Sequence, residues 1–327
     1  MLPRSHGVAG VIALAALAAC VAPRQPTPPC FTIHGSDSEL RAKDAAKTLE
    51  DLAQRIRLSP EEEPLRNPKS IADIRTILRR DVVYLFANAA AFARTLNTLE
   101  GRVIEAQCEL LLGESQLVAS QVLSTQEAWV GGDLRIARAT LASEGAAPST
   151  DRGRTLAQLI RAVEEGNKIA DALGVVAPSH LTRGAEVIRQ LRTEAPADAR
   201  TALLVAEYHR LRGEWSEFDA AMKAAEGPNR ASPAPCYLRG MEQLERFRRP
   251  DLGATMLREC LTGNPKFVRA QAGLLLMART PADGIRELQK LKLMNQDHYL
   301  VLLLEPTLAA DQELLRMQRG GARNAER

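Results

Sequence analysis

Aromatic residues are scarce in this chain of 327 residues and make up only 4% of it. Sustained alternation of Val, Ile and Thr with polar residues is absent as well. Half-buried strands favour β-branched and aromatic residues at every second position, so a sheet is disfavoured. Alanine and leucine at helical spacing dominate instead. The sequence therefore predicts an all-α fold.

Long hydrophobic runs are also missing. A membrane-spanning helix needs about 18 or more consecutive apolar residues. The best candidates in the body of the chain, Val82–Ala93 and Tyr299–Leu304, are shorter and are bounded by charged residues. We therefore predict no membrane-spanning helix in the body of the protein.

Neither sign of charge is in large excess, because 43 Lys and Arg stand against 40 Asp and Glu. The two signs are interspersed, which is typical of solvated helix surfaces and disfavours a phosphate-binding face. We therefore expect no nucleic-acid partner. A local basic cluster at Arg246, Arg248 and Arg249 is interpreted as solvated surface, with contact to lipid headgroups or a partner as the alternative.

Motifs for catalysis or metal binding are absent from the sequence. Beyond the N-terminal segment, the histidines His34, His180, His209 and His298 lie far apart, and none has a second His or Cys at ligand spacing. Ser115 lacks the second glycine of a nucleophile elbow, and Gly-rich phosphate loops are missing. We therefore expect no enzymatic activity, no metal and no cofactor. A cleft that gathers His34 or His180 with acidic residues would contradict this.

The N-terminal segment Val8–Cys20 is uncharged, follows the basic Arg4, and ends in Leu17, Ala18, Ala19 and Cys20. A short apolar segment with small residues at its end is typical of a secretory signal. The last four residues resemble the cleavage box of bacterial lipoproteins. The alternatives are an ordinary signal peptide and a short buried helix that ends in cysteine.

The resemblance to lipoproteins implies that residues 1–19 are a signal peptide and that Cys20 is acylated, with palmitate as a typical chain. It further implies a membrane partner through the lipid anchor, with the body facing the periplasm. Val21 stands where an Asp favours inner-membrane retention in that family, so the outer membrane is favoured.

The rest of the chain begins with a proline-rich stretch. Residues 20–36 are predicted to form an extended tether, and residues 37–195 a helical region with a long-helix bundle. The first of its helices is predicted over Ser38–Arg57 from the helical spacing of its apolar residues.

Local signals mark later helix ends in that region. Ser70 and Asp73 have the spacing of a helix capping box. Between them and Val130 no proline occurs, and Gly101 and Gly113 are the candidate breaks.

Two similar stretches offset by 35 residues occur within residues 199–267. Ala206 aligns with Met241 and Ala225 with Cys260, and the turn Arg212–Trp215 follows the first helix. These residues resemble two tetratricopeptide repeats. The resemblance implies a tetratricopeptide-like α-solenoid over residues 196–319, followed by a tail over residues 320–327. A third, shortened copy is predicted from Val268, with its turn at Thr280 and Pro281.

Four cysteines remain beside the lipid site. Cys236 and Cys260 each lie about 12 residues from the turn near Arg248, so they are expected at the same height on antiparallel helices, at about 1.5 Å rise per residue. A disulfide between them is one reading, and two buried free thiols are the other. Cys30 and Cys108 are left over and are a second candidate pair.

The function favoured by these features is a non-enzymatic, lipid-anchored scaffold that binds envelope proteins in envelope assembly or a transport complex. Helical-repeat arrays bind partners on the surface formed by their first helices. The residues predicted to line such a groove are Glu207, His209, Arg210, Arg239, Glu242 and Gln243.

The alternative function is a small-ligand-binding lipoprotein, for example one associated with a solute transporter. The overall plan also resembles the repeat-containing T component associated with TRAP transporters. A deep apolar cavity with a few convergent polar groups favours ligand binding, whereas a shallow open groove favours the scaffold.

Overall fold

The computed structural model describes residues 58–130, 179–229 and 231–304, with a few further positions between 138 and 161. All regular structure in these parts of the chain is helical, which confirms the all-α prediction. The predicted signal peptide, Cys20, the tether over residues 20–36, the helix Ser38–Arg57 and the tail lie outside the described residues.

The first described helices are short. A 3-10 turn over Glu63–Arg66 precedes α1 (Ile71–Arg80), and a second over Val83–Leu85 leads into α2 (Phe86–Thr95). At the start of α1 the Ser70 hydroxyl accepts a hydrogen bond of 3.2 Å from the Asp73 N–H. The Asp73 carboxylate in turn accepts one of 2.9 Å from the Lys69 N–H. Both bonds satisfy N–H groups that a helix start leaves without partners.

The long helix α3 covers Leu99–Val130, a length of 32 residues. Gly101 and Gly113 lie inside it, so the prediction that they break the helix was wrong. The chain reverses instead before α3, at Asn97, whose φ is 45°. Gly101 serves close packing between α2 and α3, because a Cβ there would lie 2.6 Å from the Ala93 carbonyl oxygen.

After α3, helix α4 covers residues 179–194, and three consecutive helix pairs follow. Within each pair the two helices are antiparallel and pack along their length. These hairpins are α5 with α6, α7 with α8, and α9 with α10, and their bounds in order are Ala199–Arg212, Trp215–Glu226, Ala234–Glu245, Pro250–Gly263, Val268–Leu276 and Pro281–Met294. A short helical segment, α11 (residues 299–304), ends the described chain.

The first helices of the hairpins begin at Ala199, Ala234 and Val268, which are 35 and 34 residues apart. The third hairpin turns just before α10, where the Thr280 hydroxyl caps the helix by accepting from the Asp283 N–H at 3.1 Å. A period of this length is typical of tetratricopeptide repeats.

The middle hairpin is held together by close helix contact. Cys236 on α7 and Cys260 on α8 form a disulfide, with their Cα atoms 6.0 Å apart. One turn further along, a Cβ on Gly253 would lie 2.8 Å from the Gly240 carbonyl oxygen. The two backbones can approach this closely because Gly253 lacks a side chain. Gly240 leaves room for Leu257, whose Cδ2 would lie 2.6 Å from a Cβ there. Cys108 on α3 is a buried free cysteine, and Cys30 lies outside the described residues.

Three hydrophobic clusters form the core of the described chain. The largest joins α1, α2 and α3 to α9, α10 and α11, the second fills the three hairpins, and the third joins α3 to α4 and α5. Helix α3 thus contributes to two of them and packs on both the N-terminal helices and the hairpins. No helix among the described residues is both long and apolar enough to cross a membrane.

Candidate functional site

Helix α3 places three acidic side chains inside the protein. Glu105, Glu109 and Glu114 are 6%, 2% and 5% exposed. At about 3.6 residues per turn, Glu105 and Glu109 lie on one side of the helix, whereas Glu114, nine residues after Glu105, lies on the opposite side. An isolated buried carboxylate is costly, so each must find cationic or hydrogen-bond partners.

Glu114 is the centre of the candidate site. Its carboxylate accepts hydrogen bonds from Arg210, from Arg269 at 2.5 Å, and from the Tyr237 hydroxyl at 3.0 Å. These partners lie on α5, α9 and α7, the first helices of the three hairpins. One carboxylate on α3 therefore ties together the same face of all three hairpins.

Charge stabilises this cluster in its ionised form. Burial alone raises the pKa of Glu114, but the positive charges of Arg210 and Arg269 outweigh burial and, with the Tyr237 hydrogen bond, lower that pKa to about 2. Arg269 also bonds Glu207, and its guanidinium lies 4.3 Å from the centre of the Tyr237 ring. Both carboxylate oxygens of Glu114 thus accept hydrogen bonds from other side chains of the protein.

The pKa of Glu245, at the end of α7, is shifted in the opposite direction. Its carboxylate accepts a hydrogen bond of 2.5 Å from Arg210, and its side chain keeps 28% exposure. Burial raises the pKa of Glu245 to about 7, with the nearby Glu114 charge adding to the rise and Arg210 opposing it. Since Arg210 is already bound to Glu114, it stabilises a second carboxylate less well.

The second buried acid, Glu109, joins α2, α3 and α4. Its carboxylate oxygen lies 2.6 Å from Nδ1 of His180, and Arg94 and Arg183 approach it at 3.4 Å. Arg94 also donates to Glu105 at 2.6 Å. The sequence analysis named a cleft that gathers His180 with acidic residues as an arrangement that would indicate enzymatic activity. Here Arg94 and Arg183, whose side chains are 49% and 54% exposed, also bind the acids, so the group is a partly exposed ion-pair network.

The residues predicted to line a partner groove do not share one open surface. Glu207 and Arg210 are buried, and their side chains bond Arg269 and Glu114 under α3. The inner face of the hairpins, which sequence analysis assigned to a partner, is therefore covered by the protein's own helix. The sequence pattern of the hairpins contains no information on what packs against them, so this was not foreseeable from residues 196–319.

The other predicted groove residues lie elsewhere. Arg239 and Glu242 bond each other at 2.9 Å, and Arg246 bonds Glu242 and Asp219 at 2.8 Å each. The Gln243 carbonyl accepts a hydrogen bond from the Arg249 N–H at 2.8 Å. Arg239 and Glu242 therefore lie on the side of α7 that faces α6, and Glu242 is buried there at 3% exposure. Arg239 borders an open cleft of about 670 Å³, which is also lined by Asp219, Lys223, Glu226 and Gly227.

His209 lies in a second cleft, between α4 and α5. We call it the His209 cleft. It measures about 410 Å³, and its lining consists of Thr182, Ala185, Glu186, Ile188, Arg189, Arg192, Val205, Tyr208 and His209. The imidazole Nδ1 of His209 lies 2.7 Å from the Glu214 carboxylate, which orients the ring. Apolar side chains form part of the lining, and the exposed Arg189 and Arg192 lie along α4.

The remaining sequence candidates are not brought together. His298 is buried, with its Nε2 3.4 Å from Asp81 and its Nδ1 accepting from the Leu300 N–H. His180 is at the Glu109 network, and His34 lies outside the described residues. Within the described ranges no group of three His, Cys, Asp or Glu side chains is placed to hold a metal ion.

Sequence reasoning missed the central group of Glu114, Tyr237 and Arg269. The signal for Glu114 is its position two residues after the apolar run of residues 110–112 on a long helix. A charged residue on a buried helix side needs a partner, but its partners are 96, 123 and 155 residues away along the chain. Only the packing of α3 on the hairpins shows which they are.

Compared with known proteins, the chain matches no protein-family model, no curated protein and no solved structure. Relatives therefore assign no role to Glu114, to His209 or to any other residue. The contacts and clefts described above are the basis for a function.

Proposed function

We propose that the protein is a lipid-anchored bacterial cell-envelope protein that acts as a helical-repeat scaffold for envelope proteins, in envelope assembly or a transport complex. Cys20, with the box Leu17–Cys20, supports the anchor. The three hairpins at spacings of 35 and 34 residues support a short tetratricopeptide-like solenoid that follows a bundle of N-terminal helices. In this proposal the protein is not an enzyme, and the buried acids of α3 serve packing.

The observation that carries the scaffold proposal is the His209 cleft. Because α3 covers the inner face of the hairpins through Glu114, a partner must bind outside that face. The cleft offers the half-buried Val205 and Tyr208 for apolar contact and exposed arginines on α4 for acidic side chains. We therefore propose that it takes a partner segment with apolar residues flanked by Asp or Glu.

A site-specific crosslink tests this proposal. A photoreactive amino acid at Ala185, inside the cleft, is expected to give a discrete larger adduct in intact cells. The same amino acid at Leu293, which is 88% exposed on α10, is the matched control and gives no such adduct. Charge reversal at Arg189 and Arg192 is expected to reduce the adduct at Ala185. Equal crosslinking from both positions, or none from the cleft, would contradict the scaffold proposal.

The anchor is tested separately. Mass spectrometry of the mature N-terminus is expected to show a fatty-acylated residue 20 with residues 1–19 removed. The Cys20→Ala variant is expected in the soluble fraction, because the acyl chains supply the apolar area that holds the protein on the membrane. An unmodified N-terminus upstream of position 20 would refute the lipoprotein assignment and leave the scaffold test intact.

The small-ligand alternative is less well supported by the clefts. Ligand sites are enclosed and mostly apolar with a few polar groups. Both described clefts are open, and charged side chains such as Arg189, Arg239 and Glu226 line them. Open, charged clefts favour contact with another protein over enclosure of a small molecule.

A further inference from the structure

The turn between α7 and α8 exposes apolar side chains next to arginines. Phe247 is 44% exposed and Leu252, in the first turn of α8, is 45% exposed. They are two of the three large hydrophobic side chains that are exposed within the described ranges. Arg248 and Arg249 are exposed as well. We refer to residues 246–249 together with Leu252 as the α7–α8 tip.

The backbone holds the α7–α8 tip in an unusual conformation. Arg248 has a φ of 57°, in the left-handed region where helix ends normally carry glycine. The turn is closed by hydrogen bonds from the Arg249 N–H to the Gln243 carbonyl at 2.8 Å and from the Arg246 N–H to the Glu242 carbonyl at 3.0 Å. Non-glycine residues persist in this region only where the surrounding structure holds them there. An arginine side chain is thus kept at a position that favours glycine.

The charges around the tip favour an anionic partner. Arg248 and Arg249 are both exposed there. Arg246 is bound to Asp219 and Glu242, and its guanidinium lies 4.9 Å from the centre of the Phe247 ring. The acidic Asp251 beside them is neutralised by Arg279 at 2.5 Å. At the start of α8, Arg249 supplies no side-chain cap for the helix N–H groups, whose partial positive charge adds to that of the arginines.

We propose that the α7–α8 tip binds the surface of an anionic membrane. Phe247 and Leu252 enter the interface between headgroups and acyl chains, while Arg248 and Arg249 bind lipid phosphates. An aromatic ring flanked by arginines matches a surface that is negative outside and apolar beneath. This contact differs from the lipid anchor at Cys20 and does not require it, so the two are testable apart.

The test uses the mature chain from residue 20 onward with Cys20→Ala, which carries no lipid, and flotation with vesicles. Binding is expected to vesicles of phosphatidylglycerol mixed with phosphatidylcholine and to be weak on phosphatidylcholine alone. The variant Phe247→Ser/Leu252→Ser and the variant Arg248→Glu/Arg249→Glu are each expected to lower the partition by about tenfold or more, since each basic residue near an anionic surface contributes measurably. Added salt is expected to weaken binding of the parent chain.

Matched controls show whether vesicle binding depends on the α7–α8 tip or on exposed apolar and basic side chains anywhere on the protein. Leu293→Ser removes the third exposed apolar side chain, and Arg79→Glu/Arg258→Glu makes the same charge change on exposed positions of α1 and α8. Both are expected to bind like the parent. Phe247→Trp keeps an aromatic ring and is expected to shift its fluorescence to shorter wavelength on anionic vesicles.

The proposal is overturned if anionic and neutral vesicles bind the parent equally, if the tip variants bind as the parent does, or if Phe247→Trp shows no shift. If the tip binds a protein and not a membrane, the tip variants would bind vesicles as the parent does and Phe247→Trp would show no shift. Circular dichroism of each variant shows whether it is folded, and the Phe247→Trp measurement decides the matter even where a double variant unfolds.

Discussion

Arg210 and Glu245 bond each other at 2.5 Å and occupy equivalent positions, 35 residues apart, in consecutive hairpins. The same arginine bonds Glu114 of α3, so it joins the first hairpin to the second and both to the long helix. Because one cation serves the buried Glu114 and the half-buried Glu245, the removal of any member leaves a charge with less compensation. The stability of the array is therefore expected to depend strongly on these side chains.

The first prediction concerns Glu114. Its replacement by Gln keeps the size but leaves Arg210 and Arg269 with less compensating charge. We expect the free energy of unfolding to fall by about 3–5 kcal/mol, as when one partner of a buried ion pair is lost. Urea denaturation followed by circular dichroism measures the change.

The matched control for this variant is Glu100→Gln. Glu100 bonds Arg75 at 3.0 Å and Arg200 at 2.7 Å near the surface, with 31% of its side chain exposed. Surface ion pairs contribute about 1 kcal/mol or less, so this variant is expected to change stability little. Similar losses for both variants would show that burial of Glu114 has no special role.

The second prediction concerns pH. The pKa of Glu245 is raised from 4.5 to about 7 by folding. Between these values the folded protein binds more protons than the unfolded chain, so this group's contribution to stability is present at low pH and is lost as pH rises to about 7. Above that pH both states are ionised and the contribution changes no further.

The measurement is the difference in unfolding free energy between the wild type and Glu245→Gln, taken from urea denaturation at pH 5, 6, 7 and 8. Relative to the variant, the wild type is expected to lose stability as pH rises over this range, because glutamine does not ionise. A difference that is flat or grows with pH would contradict the assignment.

The third prediction concerns the disulfide between Cys236 and Cys260, which are separated by 24 residues. Cross-links that close loops of this size contribute about 3 kcal/mol, mainly by restricting the unfolded chain. Reduction by dithiothreitol is expected to lower the melting temperature of the wild type. The double variant Cys236→Ser/Cys260→Ser is expected to melt at the lower temperature already and to be insensitive to the reductant. A reductant effect that persists in the double variant would place the disulfide elsewhere.

The fourth prediction concerns Gly253. An added Cβ would lie 2.8 Å from the Gly240 carbonyl oxygen, which belongs to the backbone and cannot turn aside. Gly253→Ala is therefore expected to destabilise the protein by about 1–3 kcal/mol, the typical cost of overpacking. Thermal unfolding measures the loss.

Gly263→Ala is the control for this substitution. Gly263 is the last residue of the same helix, and nothing lies within 4 Å of its added Cβ. At a position without strain, Gly→Ala is expected to be neutral or to stabilise by about 0.5 kcal/mol. Equal destabilisation by both variants would mean that helix propensity and not helix contact is responsible.

Comparison of particular elements shows which features were predictable. The cap at Ser70 and the turn at Thr280 were visible in the sequence, because both depend on hydrogen bonds between residues three apart. Cys236 and Cys260 were placed at one height because they belong to a single hairpin. In contrast, Gly101 and Gly113 were taken as breaks although α3 continues through both. At Gly101, close packing against α2 compensates the poor helix propensity of glycine.

The candidate site was predictable only in part. Glu207, His209 and Arg210 were assigned to an open groove, but the first and last of them are buried under α3. The residue that covers them, Glu114, lies about a hundred positions earlier in the chain. No spacing rule relates such distant residues, since their contact depends on how separate helices pack.

The order of amino acids alone specifies the helical class, the caps and the hairpin period of this protein, because hydrogen bonds and apolar periodicity act over a few residues. Which surface stays open is settled only when α3 packs against the three hairpins. Burial of Glu114 is favourable only where Arg210, Tyr237 and Arg269 converge, and that convergence exists in the folded arrangement and in no local segment.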